Sequence, residues 1–425
     1  MTIFYKINPS IKHLQNGTAI YYIGYDYNFV NELKNSGLKV IDTRSLLNLM
    51  MENLKSDLIN YVAENGKRQK NLSIWWSSNI ASKFNLNTRF FDRLILIKSA
   101  EELIKRNDGS VIIVSDYLVY LILKKNFNQF RYHIYDSIKV FAELLKSAGR
   151  NLLSFLKNRI WFMISIIHYN YSAPKRSSNS VHGSIFLYSW LEGRSFNVNG
   201  KYDDVYLPGI YDLENEKMCL LFPYYAKVEY LRSLRSNERF ISLSEQSSIG
   251  FILKSLFVFF RAKVNFNFMG LNVRLLWASE IMEENSSYNF ISRYHEFLVW
   301  KKFFHKYTGK IIYPYENQPW EKLMLLASHE SKKNNIFIAY QHSTIGKYQL
   351  NYHTTRAELE YMPVPDIILV NTDDNVNVFK NMYDSKDIVI KNAGALRFNN
   401  NRLFKPLARE KSFKTIGVIL PINKK

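Results

Sequence analysis

The stretch Ile336-Phe337-Ile338-Ala339-Tyr340-Gln341-His342 has the pattern that decides the fold, an apolar run of strand type that ends in a polar, titratable pair. The same pattern occurs twice nearby. Residues 311–315 end at Glu316, and residues 366–370 end at Asn371. Short apolar runs that are bounded by polar residues predict buried strands.

A helical pattern over residues 320–332 lies between the strands at 311–315 and 336–340, and Pro319 suits its first turn. Strands that alternate with helices predict an α/β fold with a parallel sheet. In such sheets, ligands bind beyond the carboxyl ends of the strands. Glu316 and His342 both follow a strand directly, so we expect them to belong to a binding or catalytic site.

The composition excludes several classes of protein. The 425 residues carry a formal net charge of +20 and one cysteine, Cys219, which rules out an intramolecular disulfide. The charge predicts an anionic partner, either nucleic acid, an anionic membrane surface or anionic substrates. The basic residues are spread along the chain without a nucleic-acid-binding motif, so no nucleic-acid partner is predicted.

The amino-terminal part reads as a Rossmann-type unit, with a strand over 18–24, a helix over 28–36 and a strand over 38–41. It lacks the GxGxxG fingerprint and gives no support for a dinucleotide. A further strand is expected over residues 72–76, and residues 91–97 and 111–114 are further short apolar runs. Asp116 follows the last of these, and the interpretation we favour for it is the N-cap of the next helix rather than a site residue.

A long helix is predicted over residues 137–171, and its charged residues are basic apart from Glu143. A basic amphipathic helix with tryptophan and phenylalanine is typical of a membrane interface. The alternative is a core helix whose basic residues face water. Residues 249–264 form a second candidate of the same kind.

No run reaches the ~18–20 apolar residues of a membrane span. The first residues have no signal-peptide organisation. The chain is therefore expected in the cytoplasm, with peripheral attachment to the inner face of the plasma membrane as the further expectation. We predict three regions, an α/β region with the basic helix over 1–171, an α/β domain over 184–398, and a linker with one strand over 399–425.

The chain from about residue 184 onward resembles the bacterial surface-carbohydrate biosynthesis proteins, presumed glycosyltransferases of the two-Rossmann-domain GT-B type. The resemblance is carried by short motifs: Ser189-Trp190, Arg194-Ser195-Phe196, Tyr315-Glu316, Trp320-Glu321, Tyr340-Gln341-His342 and Gly394-Ala395-Leu396-Arg397. The segment from Trp75-Trp76 through Lys83 also resembles part of the amino-terminal half of such proteins. Ser343 stands where the family commonly has glycine.

The resemblance implies a GT-B-like α/β fold in which residues 184–398 form the acceptor-side domain. It also implies that the second Rossmann domain is incomplete, because only a first strand is expected after residue 399. The implied reaction transfers a sugar from a nucleotide-sugar donor to a glycan or lipid-linked acceptor in lipopolysaccharide, capsule or other surface-polysaccharide synthesis. The alternative is a truncated, non-catalytic remnant that binds a glycan or a partner.

Glycosyl transfer needs a base for the acceptor hydroxyl and donors for the leaving phosphate. Glu316 and His342 are the predicted catalytic residues, because a carboxylate or imidazole at a strand end can act as a general base. The predicted substrate-binding residues are Gln341, Arg397, Glu192, Arg194 and Glu321.

Five of these seven residues have a plain structural alternative. Glu321 in the first turn of a helix is favourable without any ligand, and this is the interpretation we favour. His342 would cap a turn, Arg397 would be a surface residue, and Glu192 would pair with Arg194. The spacing of histidine and acidic residues predicts no metal site, and the nucleotide sugar is a co-substrate, so no cofactor is predicted.

Overall fold

The computed structural model describes residues 2–5, 19–84, 88–106, 110–134, 137–172, 185–192, 195–196, 202, 204–210, 218–221, 228–233 and 240–396. Within this part the chain is an α/β protein with two parallel sheets, as the alternating pattern predicts. The parallel α/β class is thus confirmed.

The first sheet has five parallel strands in the order β3-β2-β4-β1-β5. The strands are β1 (Thr2–Tyr5), β2 (Ile20–Ile23), β3 (Val40–Ile41), β4 (Val111–Val114) and β5 (Arg131–Ile134). The helices along this part of the chain are α1 (Tyr27–Asn35), α2 (Arg44–Lys67), α3 (Leu72–Trp76), α4 (Asn79–Ser82), α5 (Phe90–Arg106), α6 (Tyr117–Asn126) and α7 (Ser137–Ser172). Strand β1 lies inside the sheet, between β4 and β5.

The second sheet has six parallel strands in the order β13-β12-β11-β10-β6-β7. Its strands are β6 (Ile185–Tyr188), β7 (Met218–Leu221), β10 (Lys310–Tyr315), β11 (Ile336–Gln341), β12 (Ile367–Val370) and β13 (Val389–Asn392). A small antiparallel hairpin joins β8 (Asn267–Phe268) to β9 (Leu271–Asn272).

The helices of the second half are α8 (Val228–Ser233), α9 (Ile249–Leu256), α10 (Arg274–Asn285), α11 (Tyr288–Lys306), α12 (Pro319–Glu330), α13 (Arg356–Leu359) and α14 (Asp373–Met382). Two 3-10 turns cover Leu243–Gln246 and Leu350–Tyr352. Pro319 begins α12, as predicted.

One predicted strand and one of the short apolar runs are helical. Leu72–Trp76 is α3, because the Asn71 side chain accepts hydrogen bonds from the amides of Ser73 and Ile74 and so starts a helical turn. Residues 91–97 belong to α5, whose apolar side chains are buried on nearly every side. A short apolar run fits a buried helix as well as a buried strand, so the pattern alone does not separate them.

The two sheets share one continuous core. It runs from Tyr5 and Ile112 of the first sheet, through Tyr61 and Trp277, to Tyr313 of the second. The Trp277 indole donates to the Tyr61 hydroxyl at 2.8 Å in the middle of this core. The helices between the sheets therefore hold both of them in one packed unit.

Two predictions concern the division of the chain into regions and its last segment. The division into regions 1–171 and 184–398 stays a prediction. The predicted linker and strand over 399–425 lie outside the described residues, and so do Arg194 and Arg397. Across its described part, the chain has no helix both long enough and apolar enough to cross a membrane.

Candidate active site at the carboxyl edge of the second sheet

The strand order of the second sheet defines where a ligand would bind. From β6 the chain moves outward to β7, then returns to place β10 on the other side of β6 and continues to β11, β12 and β13. The order therefore reverses between β6 and β10. In open parallel sheets, such a reversal opens a crevice at the carboxyl ends of the two strands.

Glu316 and His342 meet at this crevice. Glu316 follows β10, His342 follows β11, and the two strands pair in register up to Tyr315 and Gln341. The His342 Nε2 lies 3.4 Å from the Glu316 Oε1. The His342 side chain is only 3% exposed, whereas that of Glu316 is 32% exposed. The carboxylate is thus the member of the pair that a ligand can reach.

Aromatic rings surround the histidine. The ring of Trp190, which follows β6, lies 5.9 Å from the imidazole, and that of Tyr206 lies 5.0 Å from it. The Tyr206 hydroxyl donates to Glu192 Oε1 at 2.5 Å. Trp190, Tyr206 and Glu192 are all half-buried. The crevice therefore combines a carboxylate and an imidazole with two aromatic rings and a second carboxylate.

The loop after β10 is shaped by Glu321. Its Oε1 accepts hydrogen bonds from the amides of Glu316 at 2.8 Å and Gln318 at 2.9 Å, which closes a capping box at the start of α12. Asn317 has φ +56° in the same turn. Glu321 is fully buried, and burial raises its pKa to about 8. Glu321 is thus a helix-capping residue rather than a substrate contact. By binding the Glu316 amide it orients Glu316 within the site.

The side chain of Gln341 is also committed within the protein. It is fully buried, its Nε2 donates to the Ser343 carbonyl, and its Oε1 accepts from Asn375 Nδ2 at 3.1 Å. The amide of Asn371 approaches the same oxygen at 3.4 Å. Gln341 therefore ties the ends of β11 and β12 together. Its predicted contact with substrate has no support in this geometry.

Arg397 lies directly after Leu396, the last of the described residues. The residues directly before it are fixed to β11, because the Tyr340 hydroxyl donates to the Gly394 carbonyl at 3.0 Å and accepts from the Leu396 amide at 2.9 Å. Gly394 has φ +73°, a conformation that glycine adopts without strain. The predicted roles of Arg397 and Arg194 stay predictions.

A buried ionic cluster next to the site was missed by the sequence analysis. Lys83 forms an ion pair with Glu358 and donates to the His353 carbonyl at 2.6 Å. Lys322 donates to the Asn317 carbonyl at 2.7 Å and lies over the Trp76 ring. Burial lowers the pKa of Lys322 to about 7. The only available signal was the placement of Lys83 after Trp75-Trp76 and of Lys322 amid apolar residues.

Two further features bear on the chemistry. Among the residues that the structure describes, no three histidine, cysteine or acidic side chains lie close enough to hold a metal ion.

A cavity of about 420 Å³ lies at the opposite edge of the sheet, beside Phe337 and Asp366 at the starts of β11 and β12. It is therefore separate from the Glu316 and His342 pair.

Comparison with known proteins finds no match to this chain among protein-family models, curated proteins or solved structures.

Proposed function

We propose that the chain is a glycosyltransferase-like enzyme that moves a sugar from a nucleotide-sugar donor to a hydroxyl group of a glycan or lipid-linked acceptor. One observation carries the proposal, the contact between Glu316 and His342 at the strand-order reversal, with the rings of Trp190 and Tyr206 around it. Aromatic rings offer the apolar faces that sugars use for packing, and the pair offers a base.

Exposure divides the roles within the pair. Glu316 is the general base, because its carboxylate is the accessible one. His342 is a positioning residue, because its nearly buried ring lies against that carboxylate and fixes its orientation. In the proposed step the acceptor hydroxyl gives its proton to Glu316, and its oxygen bonds to the anomeric carbon. The bond from that carbon to the phosphate oxygen breaks, and its electron pair leaves with the nucleotide.

The wider proposal is a GT-B-type enzyme of bacterial surface-polysaccharide synthesis. The presence of two parallel sheets in one chain supports it. Arg397 is proposed to neutralise the departing phosphate, since a guanidinium group binds phosphate through paired hydrogen bonds. Arg194 is proposed to contact the acceptor sugar. Glu192, held by Tyr206, is proposed to contact acceptor hydroxyls.

The test is sugar transfer by the full chain. The protein is incubated with a panel of nucleotide sugars and with lipid-linked and free glycan acceptors, and release of nucleotide and transfer of labelled sugar are measured. Glu316→Gln is expected to lower the transfer rate by roughly 10²–10⁴-fold, because it removes the base and keeps the shape. His342→Gln is expected to lower kcat and to shift its pH profile.

His305→Gln is the matched control, because His305 is an exposed histidine at the far end of α11. It is expected to leave the rate unchanged. Transfer by Glu316→Gln within twofold of the wild-type rate would refute the assigned base. Sugar binding by the folded wild-type chain without any turnover would instead support the alternative of a glycan-binding module.

A further inference from the structure

Helix α7 exposes a continuous apolar face to solvent. Its exposed apolar residues follow one another at helical spacing: Leu152, Leu153, Leu156, Ile160, Trp161, Met163, Ile164, Ile167 and Tyr171. Spacings of three and four residues place such side chains along one side of a helix. Soluble proteins rarely expose an apolar surface of this extent without a partner for it.

The opposite side of the same helix is already packed. Phe162, Ile166 and Tyr169 are buried, and the Phe162 ring contacts those of Tyr288 and His295 on α11. From residue 152 onward α7 therefore has apolar side chains on both sides, and within the described part of the chain only one side packs against other elements. A helix that is apolar all round belongs in an apolar environment on every side.

Helix α9 extends the exposed surface. Ile249, Leu253 and Phe257 are exposed at successive spacings of four residues. The two helices are joined by Arg159, which donates to the carbonyls of Leu256 and Val258, and by the stacked rings of Phe155 and Phe259 at 6.0 Å. We call the exposed apolar residues of α7, together with Ile249 and Leu253 on α9 and Phe257 directly after it, the apolar face.

The charged residues beside the apolar face are basic. Exposed cations lie on α7 and on or just after α9: Lys146, Arg150, Lys157, Lys254 and Arg261. The sequence has no acidic residue from 144 to 172 or from 246 to 279. An apolar surface edged by cations is complementary to a bilayer that contains anionic lipids.

We propose that the apolar face docks onto the surface of an anionic phospholipid bilayer, with α7 lying in the plane of the interface. None of the described helices can cross a membrane, which agrees with attachment in the plane. Pairing with a second copy through the same face would bring the basic residues of both copies together and is disfavoured by repulsion. The proposal holds whether or not the Glu316 site transfers a sugar.

Vesicle sedimentation tests the docking. The full chain is mixed with vesicles of phosphatidylcholine alone or with an equal amount of phosphatidylglycerol, and the bound fraction is measured. Binding is expected with phosphatidylglycerol and should weaken as salt is added. Leu156→Glu is expected to lower the partition coefficient roughly ten- to hundredfold, because it places a charge in the apolar face.

Leu49→Glu is the matched control, because Leu49 on α2 is 50% exposed and Leu156 is 52% exposed. It is expected to bind like the wild type. Trp161 gives a second readout, since it is the most exposed of the seven tryptophans at 59%. Lipids with brominated acyl chains should quench its fluorescence, and Trp161→Phe should bind normally but lose that quenching.

Three outcomes would overturn the proposal. The first is equal vesicle binding by Leu156→Glu and Leu49→Glu. The second is vesicle binding by the wild type without quenching of Trp161. The third is a stable wild-type dimer that Leu156→Glu converts to a monomer, when neither the wild type nor the variant binds vesicles. This outcome would assign the apolar face to self-association.

Discussion

At the scale of single residues, two lysine–glutamate ion pairs link the α2–α4 segment with α13 and the residue after it. One pair is buried and the other is exposed to solvent. Lys83 and Glu358 are fully buried, whereas Lys67 and Glu360 are half-exposed at the surface. A buried charge that loses its partner is costly, while an exposed pair contributes little because water and salt screen it. The two pairs therefore differ sharply in their effect on folding.

Lys83→Met is expected to lower the free energy of unfolding by about 3–5 kcal/mol, because it leaves the Glu358 carboxylate buried without its cation. The double variant Lys83→Met with Glu358→Leu should recover most of this loss. Urea unfolding measures both. Lys67→Met is the matched control and should leave stability unchanged, so equal effects of Lys83→Met and Lys67→Met would contradict the burial argument.

Glu296 on α11 predicts a dependence of stability on pH. Burial raises the pKa of this carboxyl group to about 7, although the Tyr188 hydroxyl donates to it at 2.9 Å. A folded-state pKa above the unfolded value gives stability at low pH that is lost as pH rises through about 7. Glu296→Gln should therefore be more stable than the wild type near pH 8, by up to roughly 3 kcal/mol, and not near pH 4.

Thermal melts across this pH range check the prediction for Glu296→Gln. The quantity to compare is the difference between variant and wild type at each pH, because other buried acids such as Glu280 titrate in the same range. A constant difference between acidic and alkaline pH would mean that Glu296 does not titrate as described.

Single residues also show what the sequence could predict. Asp116 was expected as an N-cap, and its side chain accepts from the amides of Leu118 and Val119. Glu316 and His342 were expected at the same edge of the sheet, and they are in contact. The burial of Gln341 and the pairing of Lys83 with Glu358 depend on contacts between distant segments, which no local pattern encodes.

At the scale of elements, Arg159 shows why the second basic segment is not one helix. The sequence suggested an amphipathic stretch over 249–264, but α9 ends at Leu256. Arg159 binds the carbonyls of Leu256 and Val258 and lies 4.4 Å from the Phe155 ring centre and 4.9 Å from that of Phe259. A residue expected to face water is instead the link between α7 and the end of α9.

Arg159→Ala is expected to cost about 2–3 kcal/mol of unfolding free energy, since two charge-assisted hydrogen bonds are lost. Arg159→Lys should not restore stability, because an ammonium group lacks the planar fork that reaches both carbonyls. Arg150→Ala on the exposed part of α7 is the control. Rescue by lysine in urea unfolding would show that charge alone matters at this position.

Strands β10, β11 and β12 and helix α12 were predicted closely, because each strand has a clear apolar run and the helix has a clear start at Pro319. In the first half of the chain, α3 was mistaken for a strand because five residues are too few to show a helical period. The side-chain cap from Asn71 was the decisive local signal. An asparagine directly before a short apolar run therefore indicates a helix start more reliably than the run indicates a strand.

At the scale of the whole molecule, the shared core predicts how the chain unfolds. Residues of both sheets and of the helices between them belong to one cluster. Differential scanning calorimetry should therefore give one cooperative transition, with equal calorimetric and van't Hoff enthalpies. Lys83→Met should move that whole transition. Two resolved transitions, of which Lys83→Met shifts only one, would show that the two sheets are independent.

The place of β1 inside the first sheet has a consequence for the order of events during synthesis. Thr2 pairs with Val111 on one side and Arg131 on the other. Strand β1 therefore leaves the ribosome well before β4 and β5, the two strands with which it pairs. Contacts so distant in sequence close slowly and leave apolar strands open to other chains in the meantime. The nascent β1 segment is accordingly where a holding chaperone would protect this chain most.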